Sequence, residues 1–380
     1  MLRIGVDLRV LARGARTGVE QYTIGLMEAL AGDQKNSYHF FYNARSKVKL
    51  GFSWLSLPKR KLYSFGYPNK LLDLTSAILN RPKIDNLVGG VDAYFLPHFL
   101  RASMAQAARV MTFHDLSFEY YPEFFSARHH LWHKLMNPKA RDREADLLIA
   151  VSQSTKEDLV NLYGVDEKKI KVIYSGVERG LSSGQPDQKK IEAVRKKYHL
   201  PQKFILFFGT IEPRKNLQGL IESFDILKQD KKFADVHLVM AGAFGWLFKD
   251  IVAQAKKSRW SSFIHFPGFI NYQDKASLYH LATVFAYPSF FEGFGFPPLE
   301  AMAYGVPVVC SNKTSLPEIV GEAALMIDPY LTGELAEAIK IVLTEDEFRK
   351  NLIEKGRERV KEFSWEKTGQ EFLAAVEKLK

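Results

Sequence analysis

Short apolar runs alternate with amphipathic, helix-like stretches through the first half of the chain. The runs that predict strands are Leu2–Leu8, Tyr38–Tyr42, Ala93–Leu96, Val110–Phe113, Leu147–Val151 and Lys171–Ile173. Val10–Gly18 predicts a loop, and Val19–Ala31 predicts a helix with one apolar face. Ser152–Tyr163 predicts another helix, with Ser154 as its N-cap and Glu157 completing a capping box. Strands that alternate with helices predict a parallel sheet with right-handed crossovers.

The same alternation restarts after a polar stretch. Gly176–Lys190 combines glycine, serine, proline and charged residues, a composition typical of a linker. The strands predicted beyond it are Phe204–Phe208, Val236–Met240, Phe263–His265, Val284–Tyr287, Val308–Cys310 and Leu325–Ile327. The helices predicted between them include Leu217–Gln229, Gln273–His280 and Leu316–Gly321, and Trp365–Lys380 predicts a last amphipathic helix. The pattern therefore predicts an α/β protein with two doubly wound domains, divided near residue 183, and a cleft between them.

Length and composition agree with two globular domains. The chain has 380 residues, of which 46% are hydrophobic and 25% charged. No apolar run approaches the roughly 20 residues that a membrane helix needs. The first residues enter a strand pattern directly, so we expect no signal peptide. The single cysteine, Cys310, excludes an internal disulfide and is consistent with a reducing cytoplasm.

The net charge of +10 is unevenly distributed. From Gln34 to Leu72 there are eight basic residues and no acidic one. Basic and aromatic residues also interleave over Tyr38–Lys70 and Phe124–Arg141. This composition is consistent with an ordinary surface of exposed lysines over core aromatics. It is equally consistent with attraction to an anionic membrane surface.

Phe290–Gly305 carries two carboxylates, Glu292 and Glu300, that are eight positions apart. Between them lies a Gly-Phe-Gly turn, followed by two prolines that suit the start of a helix and by a glycine that suits its end. We expect Glu292 in the loop and Glu300 in the first turn of that helix. The free amides of a helix N-terminus suit a phosphate or a hydroxyl-rich ligand. Each acid alone is more often structural, but the spacing and the glycine loop favour a binding role.

Two further loops are candidates for phosphate contacts. Arg13–Gly18 matches neither the G-x-G-x-x-G dinucleotide fingerprint nor a P-loop, which argues against a dehydrogenase or a P-loop NTPase. Gly18 by itself is either a turn residue or a point of close approach to a ligand. Phe207–Leu217 reads as a strand end, a turn and a helix start that carry Arg214 and Lys215. Two cations at the carboxyl edge of a parallel sheet suit a diphosphate.

Together, Gly209–Leu217 and Glu292–Gly305 resemble the retaining, nucleotide-sugar-dependent glycosyltransferases of the large GT4 family, which have the GT-B fold. Thr112–Phe118 and Gly209–Asn216 are most similar to the bacterial mannosyltransferases of polysaccharide and lipopolysaccharide assembly. The resemblance implies two Rossmann-like domains facing across a cleft. It also implies that the N-terminal domain (1–183) binds the acceptor and that residues 184–363 bind the nucleotide sugar. The final helix, residues 364–380, is expected to cross back to the N-terminal domain.

The resemblance also implies roles for individual residues. The implied donor-binding set is Gly18, Thr210, Arg214, Lys215, Glu292, Gly293, Phe294, Gly295, Leu299 and Glu300, and the implied catalytic set is Glu292, His114, Lys215 and Arg214. Glu292 is expected on hydroxyls of the donor sugar, with the backbone amides of the loop on the sugar and the distal phosphate. Glu300 is expected on the ribose. Arg214 and Lys215 are expected to hold the diphosphate and to neutralise the leaving group.

Two expectations concern the facing domain, and one residue departs from the family pattern. Gly18 is expected to bring its loop close to the phosphates, and His114, at a strand end, to reach the sugar. An isolated histidine at such a position is more often a hydrogen-bonded structural residue at the end of a strand. Many relatives carry arginine directly after the glycine of the Gly209 loop, where this chain has Thr210. The diphosphate contact then depends more on Lys215 and Arg214.

No metal or cofactor is expected. The chain contains no D-x-D motif, and its ten histidines and one cysteine show no zinc-ligand spacing. Fixed cations and helix N-termini can stabilise a departing diphosphate without a divalent ion. The resemblance supplies no clear nucleophile and implies a same-face, ion-pair-like displacement with retention.

The predicted function is transfer of a hexose, with mannose from GDP-mannose favoured, to a saccharide or lipid-linked saccharide acceptor. Its expected location is the cytoplasm, with peripheral attachment to the inner leaflet of the cytoplasmic membrane as a possibility. Within enzymes, the alternatives are a UDP-sugar donor or a sugar-nucleotide epimerase of the same fold. From another class, the alternative is a non-catalytic sugar-nucleotide or nucleic-acid binding protein. Glu292 and Glu300 would repel a phosphate backbone, so we expect no nucleic acid partner.

Overall fold

A computed structural model of the protein describes residues 1–13, 18–44, 50–177 and 187–379. The chain divides into two compact units. The first unit comprises residues 1–116, 131–176 and the C-terminal segment from Phe363, and the second comprises residues 117–130 and 177–362. The short segment 117–130 therefore groups with the second unit, although its neighbours in sequence on both sides belong to the first.

The first unit is built on a seven-stranded sheet in the order β3-β2-β1-β4-β5-β6-β7, with parallel pairing throughout. Its strands are β1 (Arg3–Asp7), β2 (Ser37–Asn43), β3 (Arg60–Phe65), β4 (Ala93–Leu96), β5 (Ala108–Phe113), β6 (Leu147–Ala150) and β7 (Ile170–Val172). The order reverses beside β1, which is the arrangement of a doubly wound Rossmann sheet. The predicted parallel sheet is confirmed.

One strand of this sheet was not predicted. β3 is the edge strand, and most of its side chains are partly or fully exposed, so its sequence RKLYSF contains no apolar run. Edge strands of this kind carry charged residues on their open side. Part of the basic and aromatic stretch Tyr38–Lys70 is therefore the edge strand of this sheet.

The helices of the first unit and of segment 117–130 are mostly short. They are α1 (Gly18–Ala29), α2 (Asn69–Leu79), α3 (Ile84–Leu87), α4 (Ser117–Tyr120), α5 (Ala127–Met136), α6 (Pro138–Glu144) and α7 (Gln153–Asp158), and α7 continues as a π-helical turn over Leu159–Tyr163.

The predicted cap of α7 is wrong. Ser152, which follows β6 in an extended conformation, is the N-cap, and its Oγ accepts from the Thr155 amide at 3.0 Å. Ser154 lies inside the helix. The predicted loop over Val10–Gly18 is also wrong in part, because Arg9–Arg13 forms a 3₁₀ helix, and residues 14–17 lie outside the described part.

The second unit repeats the plan with a six-stranded parallel sheet in the order β10-β9-β8-β11-β12-β13. Its strands are β8 (Phe204–Phe208), β9 (His237–Ala241), β10 (Ile264–Gly268), β11 (Val284–Tyr287), β12 (Val308–Ser311) and β13 (Ala324–Ile327). Its helices are α8 (Gln188–Lys197), α9 (Leu217–Leu227), α10 (Lys249–Lys257), α11 (Lys275–Leu281), α12 (Phe296–Ala303), α13 (Leu316–Val320), α14 (Thr332–Thr344) and α15 (Asp346–Val360). The predicted linker is too long at its C-terminal end, because α8 begins inside it. Residues 178–186 of the linker lie outside the described part.

The last helix, α16 (Trp365–Glu377), packs on the first unit. The Trp365 indole lies over Gly25 of α1, where an added Cβ would be 2.2 Å from the ring. Phe372 makes an edge contact with Phe95 of β4 at a centroid distance of 4.7 Å. Glycine in mid-helix is unfavourable by roughly 1 kcal/mol relative to alanine, so its presence here reflects this close approach.

Candidate active site

The loop after β8 presents two cations at the carboxyl edge of the second sheet. It forms a 3₁₀ turn over Pro213–Lys215 and leads into α9 through Asn216. Asn216 is the N-cap of α9, and its Nδ2 donates to the Pro329 carbonyl at 2.6 Å. An asparagine tolerates the left-handed backbone found here and satisfies a free amide of the helix. The side chains of Arg214 and Lys215 are thereby directed from a fixed turn.

Lys215 and Glu292 form a buried ion pair. The Lys215 Nζ lies 2.6 Å from the Glu292 Oε1, and each side chain is 9% exposed. The ammonium also donates to the Tyr287 hydroxyl at 3.0 Å, at the end of β11. Two predicted site residues that are 77 positions apart in sequence are thus in direct contact.

Arg214 joins the same cluster from the other side. Its Nη1 donates to the Phe291 carbonyl at 2.9 Å and lies 3.5 Å from the Glu292 Oε2. Its Nη2 donates to the Glu212 Oε1 at 3.0 Å. The two cations are therefore balanced by two carboxylates in this structure.

The charges of this cluster determine the ionisation of Glu292. Burial acts to raise the pKa of the carboxyl, but the charges of Lys215 and then Arg214 outweigh burial and hold the pKa below its usual value. The opposite holds for the neighbouring phenol, because burial and the Glu292 charge raise the pKa of Tyr287 far above its usual value. The site therefore combines an ionised carboxylate with a neutral tyrosine at neutral pH.

The glycine loop that carries Glu292 is held by the start of the next β–α connection. The Glu292 amide donates to the Thr314 Oγ1 at 3.0 Å. The buried Ser315 hydroxyl lies 2.9 Å from the Glu292 carbonyl and 2.8 Å from the Phe294 carbonyl. Gly295 has φ +124°, and an added Cβ would lie 2.9 Å from Leu316. Glycine is required at this turn for both reasons. Sequence spacing gave no sign of Thr314 or Ser315, because their contacts depend on how β12 lies beside β11.

Glu300 lies in a second buried cluster. One of its carboxylate oxygens pairs with Lys275 of α11, and the other accepts from the Tyr279 hydroxyl at 2.9 Å. Burial and then the Glu300 charge raise the pKa of Tyr279 far above its usual value. Lys275 was not predicted as a site residue. The expected position of Glu300 was wrong by one residue, because α12 begins at Phe296, before the prolines, and Glu300 therefore falls in its second turn.

The remaining predicted residues of the second unit lie around these clusters. Gly293, Phe294 and Leu299 are buried, with Leu299 fully enclosed on α12. Thr210 follows β8 and is partly exposed. The structure thus brings Arg214, Lys215 and the Glu292 loop together, and it places Glu300 with Lys275.

The first unit contains the other two candidates. Gly18 begins α1 and is exposed, and the loop before it lies outside the described residues. His114 follows β5, and its Nε2–H donates to the Pro97 carbonyl at 2.8 Å. The His114 and Tyr22 rings pack in a T-shaped arrangement with their centroids 4.9 Å apart. Burial lowers the pKa of His114, although the Pro97 bond and the Asp115 charge oppose this. A neutral imidazole that donates through Nε2 has Nδ1 left as an acceptor.

Comparison with known proteins identifies the class to which this arrangement belongs. Residues 188–359 match the family described as "Glycosyl transferases group 1", and residues 16–180 match "Glycosyltransferase Family 4". The O-antigen chain mannosyltransferase B of Escherichia coli is 33% identical over 279 residues, which are 72% of this chain and 69% of that protein. The serotype-specific mannosyltransferase WbdA of Escherichia coli is 31% identical over 234 residues, which are 61% of this chain but 29% of that protein.

Solved structures agree on the fold. The sucrose-phosphate synthase of Thermosynechococcus elongatus superposes over 100% of this chain and 99% of its own, with a TM-score of 0.79 and 20% identity. The fold and the two family matches define a GT-B glycosyltransferase. The chain belongs to the family 4, group 1 glycosyltransferases, and its resemblance to the bacterial mannosyltransferases of that family is confirmed.

Proposed function

We propose that the protein transfers mannose from GDP-mannose, with retention, to a saccharide or lipid-linked saccharide acceptor. The observation that carries this proposal is the buried contact between Lys215 and Glu292, a cation of the kind that suits a phosphate and a carboxylate of the kind that suits sugar hydroxyls. A nucleoside diphosphate sugar presents both groups within a few bonds of each other. The similarity to O-antigen mannosyltransferases supports mannose as the sugar.

Lys215 and Arg214 hold the diphosphate of the donor. As the bond to the sugar breaks, negative charge grows on the departing phosphate, and fixed donors in a buried site stabilise it without reorganisation. This neutralisation does not call for a divalent ion. Full activity in EDTA is the expected result, and activity that is lost in EDTA and restored by Mn²⁺ would contradict it.

The glycine loop and α12 bind the rest of the donor. Glu292 accepts from sugar hydroxyls, with the amides of Phe294 and Gly295 directed to the sugar and the distal phosphate. Glu300 accepts from the ribose hydroxyls, and Lys275 holds that carboxylate in place. The free amides at the start of α12 favour the phosphate between these two ends.

The first unit supplies two further candidates, His114 for a sugar hydroxyl and Gly18 for a phosphate. The His114 Nδ1 accepts a hydrogen bond from a sugar hydroxyl, because the Nε2–H already donates to the Pro97 carbonyl. In the transfer, the acceptor oxygen bonds to the anomeric carbon on the face that the diphosphate leaves. The bond to the phosphate oxygen breaks, and that oxygen takes the acceptor proton. No enzyme nucleophile takes part in this scheme.

A thermal-shift screen tests the donor assignment. GDP, UDP, ADP and their sugars are compared at equal concentration, and GDP and GDP-mannose are expected to give the largest rise in Tm. A larger rise with UDP-glucose would indicate the UDP-sugar alternative, and interconversion of UDP-sugars without an acceptor would indicate an epimerase. Binding of oligonucleotides that falls with salt would support a nucleic-acid-binding protein instead.

The exposed face of α2 supports attachment to an anionic membrane surface. Leu71, Leu74 and Ile78 recur on one side of the helix and are 51%, 53% and 71% exposed. No helix in the described ranges is long and apolar enough to cross a bilayer. Lys59 and Lys61, which precede α2 in sequence, are exposed and supply positive charge that anionic lipids attract. We infer that the protein works at the cytoplasmic surface of a membrane that carries its acceptor.

A further inference from the structure

Segment 117–130 packs its aromatic side chains on the loop that leads to Glu292. The Tyr120 ring lies 5.4 Å from that of Phe291, between centroids. The Tyr121 and Phe124 rings stack on Phe290 at 6.4 and 5.5 Å. Contacts of this kind explain why the segment groups with the second unit.

The cluster continues to Tyr330, in the loop after β13. The Tyr330 ring lies 5.0 Å from Phe290, and its hydroxyl is hydrogen-bonded to that of Tyr121 at 3.0 Å. We call Tyr120, Tyr121, Phe290, Phe291 and Tyr330 the aromatic platform. Its two ends are open to solvent, because Tyr120 is 45% and Tyr330 59% exposed, whereas Phe291 beneath them is 4% exposed.

The platform is bonded to the donor-binding loops at several points. The Phe290 amide donates to the Arg214 carbonyl at 3.0 Å, and the Arg214 Nη1 donates to the Phe291 carbonyl at 2.9 Å. Tyr330 follows Pro329, whose carbonyl accepts from Asn216, the residue after Lys215. The exposed tyrosines are therefore held in register with the groups proposed to bind the diphosphate and the donor sugar.

We propose that the aromatic platform binds a sugar ring of the saccharide acceptor. The C–H face of a hexose is apolar and packs on an aromatic face, while tyrosine hydroxyls meet the hydroxyls at its edge. A transferase needs its acceptor next to the anomeric carbon of the donor, and the platform directly precedes the carboxylate proposed to hold that sugar. Rings that served only to pack the segment would be buried, whereas about half of the surface of Tyr120 and of Tyr330 is exposed (45% and 59%). The proposal rests on the proposed glycosyl transfer.

The test compares Tyr120→Ala and Tyr330→Ala with wild type, with Phe348→Ala as the matched control on α15, where the ring is 37% exposed. The probes are octyl glycosides of mannose, glucose, galactose and N-acetylglucosamine, with GDP-mannose as the donor. For the glycoside that wild type uses best, each platform variant is expected to raise the acceptor KM about tenfold, which corresponds to about 1.4 kcal/mol of lost contact. The Kd for GDP and the Tm are expected to be unchanged, because the removed rings are exposed.

Conservative variants separate ring contact from hydroxyl contact. Tyr120→Phe and Tyr330→Phe are expected to keep most of the affinity for the glycoside. In saturation-transfer NMR with GDP present, the sugar C–H protons are expected to receive saturation from wild type and not from the alanine variants. An unchanged acceptor KM in both alanine variants would overturn the platform and leave the transferase assignment intact. Saturation transfer to the octyl chain alone would overturn the platform as well. So would the absence of saturation transfer to all four glycosides. Failure of wild type to turn over any sugar nucleotide would instead contradict the proposed function.

Discussion

The Lys215 ammonium and the Glu292 carboxylate lie 2.6 Å apart in a buried ion pair. The first is the proposed partner of the donor diphosphate and the second that of the donor sugar. Each group neutralises the other. A diphosphate that binds Lys215 therefore competes with Glu292 for the positive charge of the lysine. We therefore expect the two halves of the proposed donor site to be coupled energetically.

Glu292→Gln is expected to strengthen the binding of GDP while it reduces turnover. The amide keeps the shape of the side chain but no longer competes for the lysine, so the GDP Kd should fall by about tenfold, or about 1.4 kcal/mol. Turnover should fall because the charged acceptor of the sugar hydroxyls is replaced by a neutral amide, which is a weaker acceptor and also presents an NH₂ donor. Isothermal titration calorimetry with GDP and a transfer assay measure the two effects.

The control is the same substitution at Glu322, whose side chain is 90% exposed. Glu322→Gln should leave both quantities unchanged, because a surface ion pair contributes little. If GDP bound more weakly to Glu292→Gln than to wild type, the competition between carboxylate and diphosphate would be refuted.

Lys215→Met is expected to destabilise the protein and to remove most activity. It leaves a buried carboxylate with one cation fewer, and loss of one partner of a buried pair typically costs about 3–5 kcal/mol. The double variant Lys215→Met/Glu292→Gln should recover part of that stability, since it removes the unpaired charge as well. Urea denaturation of the four proteins yields the coupling energy, and strictly additive losses would show that the two groups are independent.

The same pair predicts a pH dependence of stability. The pKa of Glu292 is lowered in the folded protein, so its contribution is fully present above the ordinary glutamate pKa of about 4.3 and is lost as the pH falls below that value. The free energy of unfolding of wild type should therefore fall more steeply below this pH than that of Glu292→Gln. Urea titrations at a series of pH values measure it, and parallel curves would argue against an ionised, paired Glu292.

Truncated ligands can separate the nucleoside end of the site from the phosphate end. Glu300→Ala is expected to weaken GDP and guanosine alike by about 1.5–3 kcal/mol, because a charge-assisted hydrogen bond to the ribose is lost from both. Lys215→Met should weaken GDP but not guanosine, which has no phosphate. Lys275→Met should weaken GDP and guanosine alike, as Glu300→Ala does, since it releases the carboxylate that Lys275 holds. Calorimetry with both ligands tests this, and a guanosine affinity independent of Glu300 would exclude the ribose role.

The proposed membrane contact depends on the apolar face of α2. The paired substitution Leu74→Ser/Ile78→Ser should abolish flotation with anionic vesicles at low salt, because full burial of a leucine or isoleucine is worth about 1.5–3 kcal/mol. Ile226→Ser on α9, which changes a residue 42% exposed in the second unit, is the control. No flotation of wild type at low salt would remove the membrane hypothesis.

The parallel sheets could be predicted well because their strands are buried on both faces. Continuous apolar runs such as Phe204–Phe208 mark such strands, and this one has the predicted bounds. The edge strand Arg60–Phe65 escaped prediction because its open side is polar. Helix ends are harder to predict, as at α7, where the cap is Ser152, two residues after β6, and the capping-box spacing pointed to Ser154.

The candidate site could be predicted only as far as its motifs are local. Glu292, Glu300, Arg214 and Lys215 stand in short recognisable segments. The residues that position them do not, because Lys275, Thr314 and Ser315 reach the site only through the tertiary fold. The grouping of segment 117–130 with the second unit is likewise a long-range property that no periodicity reveals.

The most direct test of the account is the anomeric outcome of a reaction with GDP-mannose. Wild type and Lys215→Met are incubated with GDP-mannose and octyl α-mannoside, and the one-bond C1–H1 coupling of the new mannosyl residue is read by NMR. The account predicts an α-linked product from wild type and almost none from Lys215→Met. A β-linked product, or full activity of Lys215→Met, would contradict it.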